Sequence, residues 1–486
     1  MSKISLSEVF LSDTKSAGKV YRLKKQGLIR NITGKLYTSN LKDTIENITD
    51  RRLWEIVGLL FPGAVIADRT AIEMKPTKNG EIFVIASKTR PISFGKFTVC
   101  PRRGVPALEN DIPFMGNMFL MSEPRKYLEN MRNRRGRKNA ALRYLSPGEM
   151  EEKLEAHIRH YGENAVNTLR DQMREIAKVL SLEAEYEELD RIVGGLLRTR
   201  EAEFTTSAAM ARSAGHAFDP NRVFLFTELY NELAVRAPVF RKTQNNANKI
   251  LCFYEAYFSN YIEGTTFTVE EAASIVFDHK IPEKRPNDAH DIAGTYNIVS
   301  SMEEMRKTPG NFDEFLELLK ARHIQMMIGR PDTMPGRFKK KANQAGSTLF
   351  VSPELVQGTL KEGFRLYQKL DTAFAKAVFM MFLVAEVHPF DDGNGRISRI
   401  MMNAEFVSMN EQRIIIPTVY RDNYLDALRG LSHNHILDAC LKMLDFAQRY
   451  TASIDWSSLR GAADMLQATN AFSEDKNSML RLPCPY

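Results

Sequence analysis

At 486 residues, 43% of them hydrophobic and 26% charged, the chain has a globular composition with room for about two to four domains, which excludes a disordered or low-complexity polypeptide. Its formal charge of +7 at neutral pH is small for this length, so only local clustering of basic residues bears on partners. Cys100, Cys252, Cys440 and Cys484 are far apart and form no metal-ligand pair, no apolar run has the length of a membrane span, and MSKISLSEVFLSDTKS lacks the apolar segment of a secretory signal; the expectation is a cytoplasmic protein with reduced, mostly buried thiols and no membrane partner.

From the N-terminus, Ser16 is placed to cap a helix with Ala17, Val20, Tyr21 and Leu23 on an apolar face and Lys and Arg opposite. Gly27 ends it, and LIRNITGKLYT gives two β-prone runs around a Thr-Gly turn. Helix, glycine and basic hairpin is the winged-helix order, which makes duplex DNA a candidate partner. Lys15, Lys19, Arg22, Lys24, Lys25, Arg30 and Lys35 form one basic concentration, and Arg125, Lys126, Arg132, Arg134, Arg135, Arg137, Lys138 and Arg143 a second. Both suit phosphate backbones, and both are equally the composition of a solvated face.

Residues 82–87 and 94–100 read as strands joined by a turn at Lys88–Ile92. After Pro147 the pattern is helical, with Met150, Leu154, Ile158, Val166, Leu169, Met173 and Ile176 at helix spacing. Residues 205–221 are rich in small and turn-forming types and mark the boundary between halves. From about 220 to 460 the chain reads as helical, interrupted at Pro335–Pro353 by a β-prone insert suited to a hairpin. The expected divisions are 1–70, winged-helix-like; 71–145, small α/β; 146–204, helical connector; 205–465, an all-helical domain with a hairpin; and 466–486, a C-terminal tail. The fold class is therefore mainly α, with an α/β region at the N-terminal end.

The most informative stretch is HPFDDGNGRISR, His388 to Arg399. An imidazole takes a proton from a hydroxyl near neutral pH. Asp392 is a hard oxygen ligand of the kind Mg²⁺ uses alongside substrate phosphates. Gly393 and Gly395 flank Asn394 and let backbone N–H groups face an anion at a helix start. Arg396 and Arg399, three apart, project from one helix face. Each half of the stretch has an ordinary reading as well, a proline-ended buried helix and a solvated turn. The joint spacing is what points to phosphate chemistry.

Upstream lies FSNYIEGTTFTVEEA, Phe258 to Ala272. A helix with Ile250, Phe253, Tyr254, Tyr257 and Phe258 on its apolar side would end at Glu263. A carboxylate there opposes the helix dipole and seeks a cation, Arg399 being the natural bidentate partner. Taken alone, Glu263-Gly264 is also an ordinary helix end.

The His388–Arg399 stretch resembles the signature of the Fic family at every defining position. The resemblance implies a helical fold whose signature binds ATP and Mg²⁺ and transfers AMP to a Ser, Thr or Tyr hydroxyl of a target protein. His388 would be the base, Asp392 the metal ligand, Gly393, Asn394 and Gly395 the phosphate cradle, and Arg396 and Arg399 the β- and γ-phosphate partners. Gly395 stands where the related Doc-type kinases differ, which favours adenylyl transfer. The insert at Pro335–Pro353 takes the place of the family's flap, which docks target segments by strand addition. Residues 413–428 resemble the family's continuation, where an aromatic near Tyr424 lines the adenine pocket. Ser259, Glu263 and Gly264 match the family's self-inhibitory pattern, in which Glu263 would hold Arg399 away from the γ-phosphate. Residues 15–200 are similar to AbiEi-type antitoxin regulators, mainly through VYRLKKQGLIRNITGKLYT. Two other functions stay open: a DNA-binding regulator carrying a Fic module, and removal of AMP or transfer of another nucleotide. A homodimer also stays open.

Overall fold

The computed structural model describes residues 7–132, 143–237, 239–243 and 245–483. Arg134, Arg135, Arg137, Lys138 and Cys484 lie outside the described residues. The protein is mainly α and divides into two compact units, Met1–Gly215 and His216–Tyr486. None of the described helices is long and apolar enough to cross a membrane.

In the N-terminal unit a helix, Ala17–Lys25, precedes a hairpin of Arg30–Thr33 and Leu36–Thr38, and a strand at Val9–Leu11 adds to the outer edge of Leu36–Thr38. Two details differ from the sequence reading. Ser16 makes no side-chain cap; instead the Asp13 carboxylate accepts from the Ser16 backbone N–H at 2.7 Å. Of the expected apolar face only Val20 is buried, while Ala17 and Tyr21 are exposed. Arg30 is spoken for within the fold, donating to the carbonyls of Asn40 at 2.7 Å and of Asp43.

The two expected strands are Glu81–Ile85 and Phe97–Arg102, paired in parallel at the heart of a six-stranded mixed sheet. Parallel partners need a returning connection. It is supplied by a third strand, Ile92–Phe94, which turns at Gly95 and pairs antiparallel with Phe97–Arg102. A strand thus begins where the sequence suggested only a turn. One buried cluster joins Val9, Leu36 and Ile48 to Ile82, Val84 and Val99, so residues 1–70 and 71–145 share a core. Helix Pro147–Leu180 starts with a capping box of Ser146 and Glu149 and breaks at Gly162, φ 83°. Its predicted positions from Met150 to Met173 are buried. Helix Ser207–Ser213 occupies part of the small-residue stretch and buries Ala209 against this helical layer, and the division between the units falls after Gly215, within that stretch.

The C-terminal unit is built around helix Ala373–Val387, apolar on every side and almost wholly buried, as a helix with no polar stripe must be. Helix Asn394–Ser408 packs along it, and Pro220–Val235, Lys249–Ile262, Pro286–Val299, Phe312–Met326, Val356–Tyr367 and Arg421–Asn434 surround the pair. The insert forms a hairpin, Gln344–Ala345 against Thr348–Leu349. The segment expected as a tail continues helix Leu459–Ala468 and then packs inward, with Ala471 buried and Phe472 stacked on Phe258 at 5.5 Å.

Candidate active site

Pro389 cannot continue the apolar helix, so the chain turns at His388, whose backbone is left-handed at φ 51°, ψ 60°. Phe390 is fully buried and lies flat on His323, with ring centroids 3.7 Å apart. Asn394 closes the loop from within. Its amide oxygen accepts from the Phe390 N–H at 2.9 Å, and its amide nitrogen donates to the Phe390 carbonyl at 2.8 Å. Any part Asn394 takes in holding an anion therefore falls to its backbone. Gly393, φ 76°, starts helix Asn394–Ser408. At Gly395 an added Cβ would stand 2.2 Å from Glu263 Oε1, so any larger residue there would push the Glu263 carboxylate aside.

His388 sits half-buried against Phe350 of the hairpin segment, ring on ring at 3.7 Å and 7°. Burial pushes its imidazole pKa down to about 4, opposed by the bond between Nδ1 and the Ala385 carbonyl at 3.3 Å. With the proton on Nδ1 for that bond, Nε2 is the basic nitrogen.

Arg396 and Arg399 do share a face, the one turned toward helix Lys249–Ile262. Arg396 is buried on Asp291 at 2.5 Å and reaches Asn260 Oδ1 at 3.5 Å. Arg399 donates to Ser259 Oγ at 3.0 Å, to the Ser259 carbonyl at 2.7 Å and to Glu263 Oε1 at 2.7 Å. The Glu263–Arg399 contact is present, but as a single charge-assisted bond rather than the expected fork, because Ser259 occupies the guanidinium's other edge. Glu263 caps its helix and Gly264, φ 95°, ends it.

Asp392 is more exposed, its Oδ1 accepting from the Gly393 N–H at 2.6 Å and its Oδ2 lying 3.3 Å from Arg330. No group of three or more His, Cys, Asp or Glu side chains able to hold a metal ion occurs among the described residues. A single accessible carboxylate beside a glycine-rich helix start fits Mg²⁺, which takes most of its ligands from phosphate and water.

A cavity of about 370 Å³ is lined by Glu263, Phe350, His388, Gly395, Arg399 and Tyr424, among others. Tyr424 is buried, with its hydroxyl 3.4 Å from Met381 Sδ and its ring 5.8 Å from the Arg399 guanidinium carbon. Asp392, Gly393, Asn394, Arg396, Ser259 and Gly264 do not line it.

Several residues that shape the site carry no signal in the sequence. His323 Nδ1 accepts from the Gly336 N–H and its Nε2 donates to the Asp392 carbonyl, each at 2.9 Å. Lys339 is buried, its backbone N–H donating to the Pro389 carbonyl at 2.9 Å, and Asn343 donates to the Phe390 carbonyl at 3.0 Å. Asp291 pairs with both Arg330 and Arg396. Each makes contacts with residues more than ten positions away along the chain, which local spacing does not reveal.

Residues 311–405 match the family model described as "Fic/DOC family". The protein adenylyltransferase Fic of Aedes aegypti is 25% identical over 198 residues, covering 39% of this chain and 39% of that protein. The Drosophila persimilis protein of the same name is 24% identical over 251 residues, covering 49% and 48%. The chain thus spans less than half the length of these curated relatives. A solved Fic domain containing signaling protein from Bacteroides thetaiotaomicron is 17% identical over 52% of this chain and 98% of its own, with a TM-score of 0.36.

Proposed function

With a Fic/DOC-family domain at residues 311–405 as the premise, we propose that the protein is a protein adenylyltransferase, moving AMP from ATP to a Ser, Thr or Tyr hydroxyl of a target protein and held in check by Glu263. The observation that carries this reading is the convergence of a neutral imidazole, a glycine helix start and a buried arginine on one cavity of nucleotide-compatible size, closed on one side by the Phe350 segment.

In this reading the target hydroxyl gives its proton to His388 Nε2 as its oxygen forms a bond to the α-phosphorus, and the bond from that phosphorus to the bridging oxygen breaks in line, releasing pyrophosphate. The depressed basicity of His388 keeps the ring uncharged and able to accept the proton at neutral pH. Backbone N–H groups at the helix start, Asn394 and Gly395, would face the phosphates, the Gly393 N–H being taken by Asp392 Oδ1. Arg399 pairs with the terminal phosphate once Glu263 lets go of it. Mg²⁺ on Asp392 and phosphate oxygens would neutralise charge growing on the bridging oxygen. Arg396, already spent on Asp291, contributes mainly by fixing the helix start.

Parallel incubations with α-labelled and γ-labelled ATP test the reading. Protein labelled from the α position alone supports adenylyl transfer, and label from the γ position alone overturns it.

A second reading concerns the N-terminal unit. Lys19, Arg22, Lys24 and Lys25 are exposed along one helix, and Lys24, Lys25 and Lys35 border a groove with Tyr21 and Tyr37. This basic, aromatic-edged groove suits a phosphate backbone.

A further inference from the structure

The hairpin over His388 is too short to hold itself: each strand has two residues, and an isolated hairpin even of ordinary length is marginal in water. Its outer apolar residue, Leu349, is 61% exposed and anchors nothing. The second strand and the residue after it, 348–350, are nevertheless tied down one by one, by two helices and by the residue that ends a third. Thr348 Oγ1 lies 2.7 Å from His433 Nε2, the Leu349 carbonyl accepts from Arg222 Nη2 at 2.8 Å, and Phe350 stacks on His388.

Two of these ties meet behind the hairpin. Arg222 Nη1 is ion-paired at 2.5 Å with Glu386, a buried carboxylate two residues before His388, and the Ser432 hydroxyl donates to the same carboxylate. Ser432 adjoins His433, so the contacts close a circuit: Thr348, His433, Ser432, Glu386, Arg222, Leu349. Arg222 is itself fixed at the first turn of helix Pro220–Val235, whose N-terminus is capped by Asp219, and the Asp219 N–H donates to Thr359 Oγ1 at 2.9 Å. Desolvating a carboxylate is costly and is offset here by the Arg222 charge and the Ser432 hydroxyl, so the pair does more for geometry than for stability. Here it links the helix that presents His388 to the strand that covers it.

We propose that Arg222 and Glu386 are positioning residues, which with Ser432 and His433 clamp the hairpin strand over His388 and so set the rate of transfer. The proposal rests on the adenylyltransferase reading for its effect on rate, but not for the clamp itself.

The test is hydrogen exchange of peptides spanning 344–350, with 373–387 as reference, in the full chain. Arg222→Met should speed exchange at 344–350 by about tenfold or more and leave 373–387 as in wild type. Arg222→Lys should recover part of the protection. Because Arg222→Met leaves Glu386 buried without its partner, the pair Arg222→Met with Glu386→Gln is measured too, and should loosen the hairpin equally. Unchanged exchange at 344–350 in both, or equal loosening of 373–387 in both, overturns the clamp. With Glu263→Gly as background, Arg222→Met should lower transfer from α-labelled ATP at saturation by about tenfold or more. It should leave ATP affinity within about twofold, since Arg222 lies off the cavity wall. A loosened hairpin with an undiminished rate overturns the rate-setting role. Should the background variant transfer nothing, the adenylyltransferase reading fails while the exchange result still decides the clamp.

Discussion

At the scale of single residues the site is organised around an imidazole that burial holds neutral. The pKa near 4 at His388 lies below the ordinary value of 6.5, so the unprotonated form persists as the solution is acidified. The acid limb of the rate of transfer by the Glu263→Gly enzyme should therefore fall near pH 4 and not near 6.5, which a pH–rate profile of kcat/KM reads directly. A limb at 6.5 would mean that the ring is solvated in the working enzyme. His388→Ala should lower transfer by roughly two to four orders of magnitude with ATP binding nearly intact, as measured by α-label incorporation alongside calorimetric titration with ATP. Wild-type labelling by that variant would remove the base from the proposal. Gly395 was legible as a glycine at a helix start, but its close approach to Glu263, whose Oε1 stands 2.2 Å from the position of a Cβ, belongs to the packed structure.

At the scale of elements, helix Lys249–Ile262 carries two opposed faces. Phe253, Tyr254, Tyr257 and Phe258 join an aromatic cluster with Trp456 and Phe472. Glu255, Ser259 and Glu263, four apart, form a polar edge. Glu255 pairs with the buried Arg413 at 2.8 Å and accepts from Asn403 at 2.8 Å, while Ser259 and Glu263 hold Arg399. The proposed brake is one bond at the end of a deeply anchored helix, and removing it leaves the anchorage. Glu263→Gly should raise automodification with α-labelled ATP, and Glu263→Gly with Arg399→Ala should lose that gain, because the freed arginine is what aligns the phosphates. Equal labelling by wild type and Glu263→Gly would show that the helix restrains nothing. The N-terminal basic helix makes a separate prediction. Arg22→Ala with Lys24→Ala should weaken binding of duplex DNA and flatten its dependence on salt, in a gel shift across a salt series, without altering transfer. No binding by the wild-type chain at low salt would assign that surface elsewhere.

For the whole molecule, the C-terminal unit ties the loop after His388 to a buried histidine. His323 is fully buried, with Nδ1 accepting and Nε2 donating, an arrangement only the neutral ring satisfies. Burial lowers its pKa to about 4 from 6.5. A base whose folded pKa is depressed adds stability that is complete above its unfolded pKa and lost as the pH falls toward its folded one. Resistance to urea should therefore decline between about pH 6.5 and about pH 4, by up to about 3 kcal/mol from His323. His323→Gln should flatten that decline, as compared by unfolding midpoints at about pH 7 and about pH 4.5. An unchanged slope in the variant would place the pH dependence in other groups.

The sequence by itself determined what is periodic or local. It determined the apolar run that must become a buried helix, the proline that stops it, the glycines and arginines at fixed offsets behind it, the hairpin insert, and a helix ending at Glu263 opposite Arg399. Those features depend on neighbours a few residues away, so their physics is written in order along the chain. Only the tertiary structure decided which groups the interior consumes. It turned Asn394 inward to close its own loop, committed Arg396 to Asp291, divided Arg399 between Ser259 and Glu263, and recruited His323, Lys339 and Arg222 from distant segments to hold the loop and its covering strand. Such choices follow from which buried donors meet which acceptors once the helices pack. A lone His or Arg has no partner until the fold supplies one.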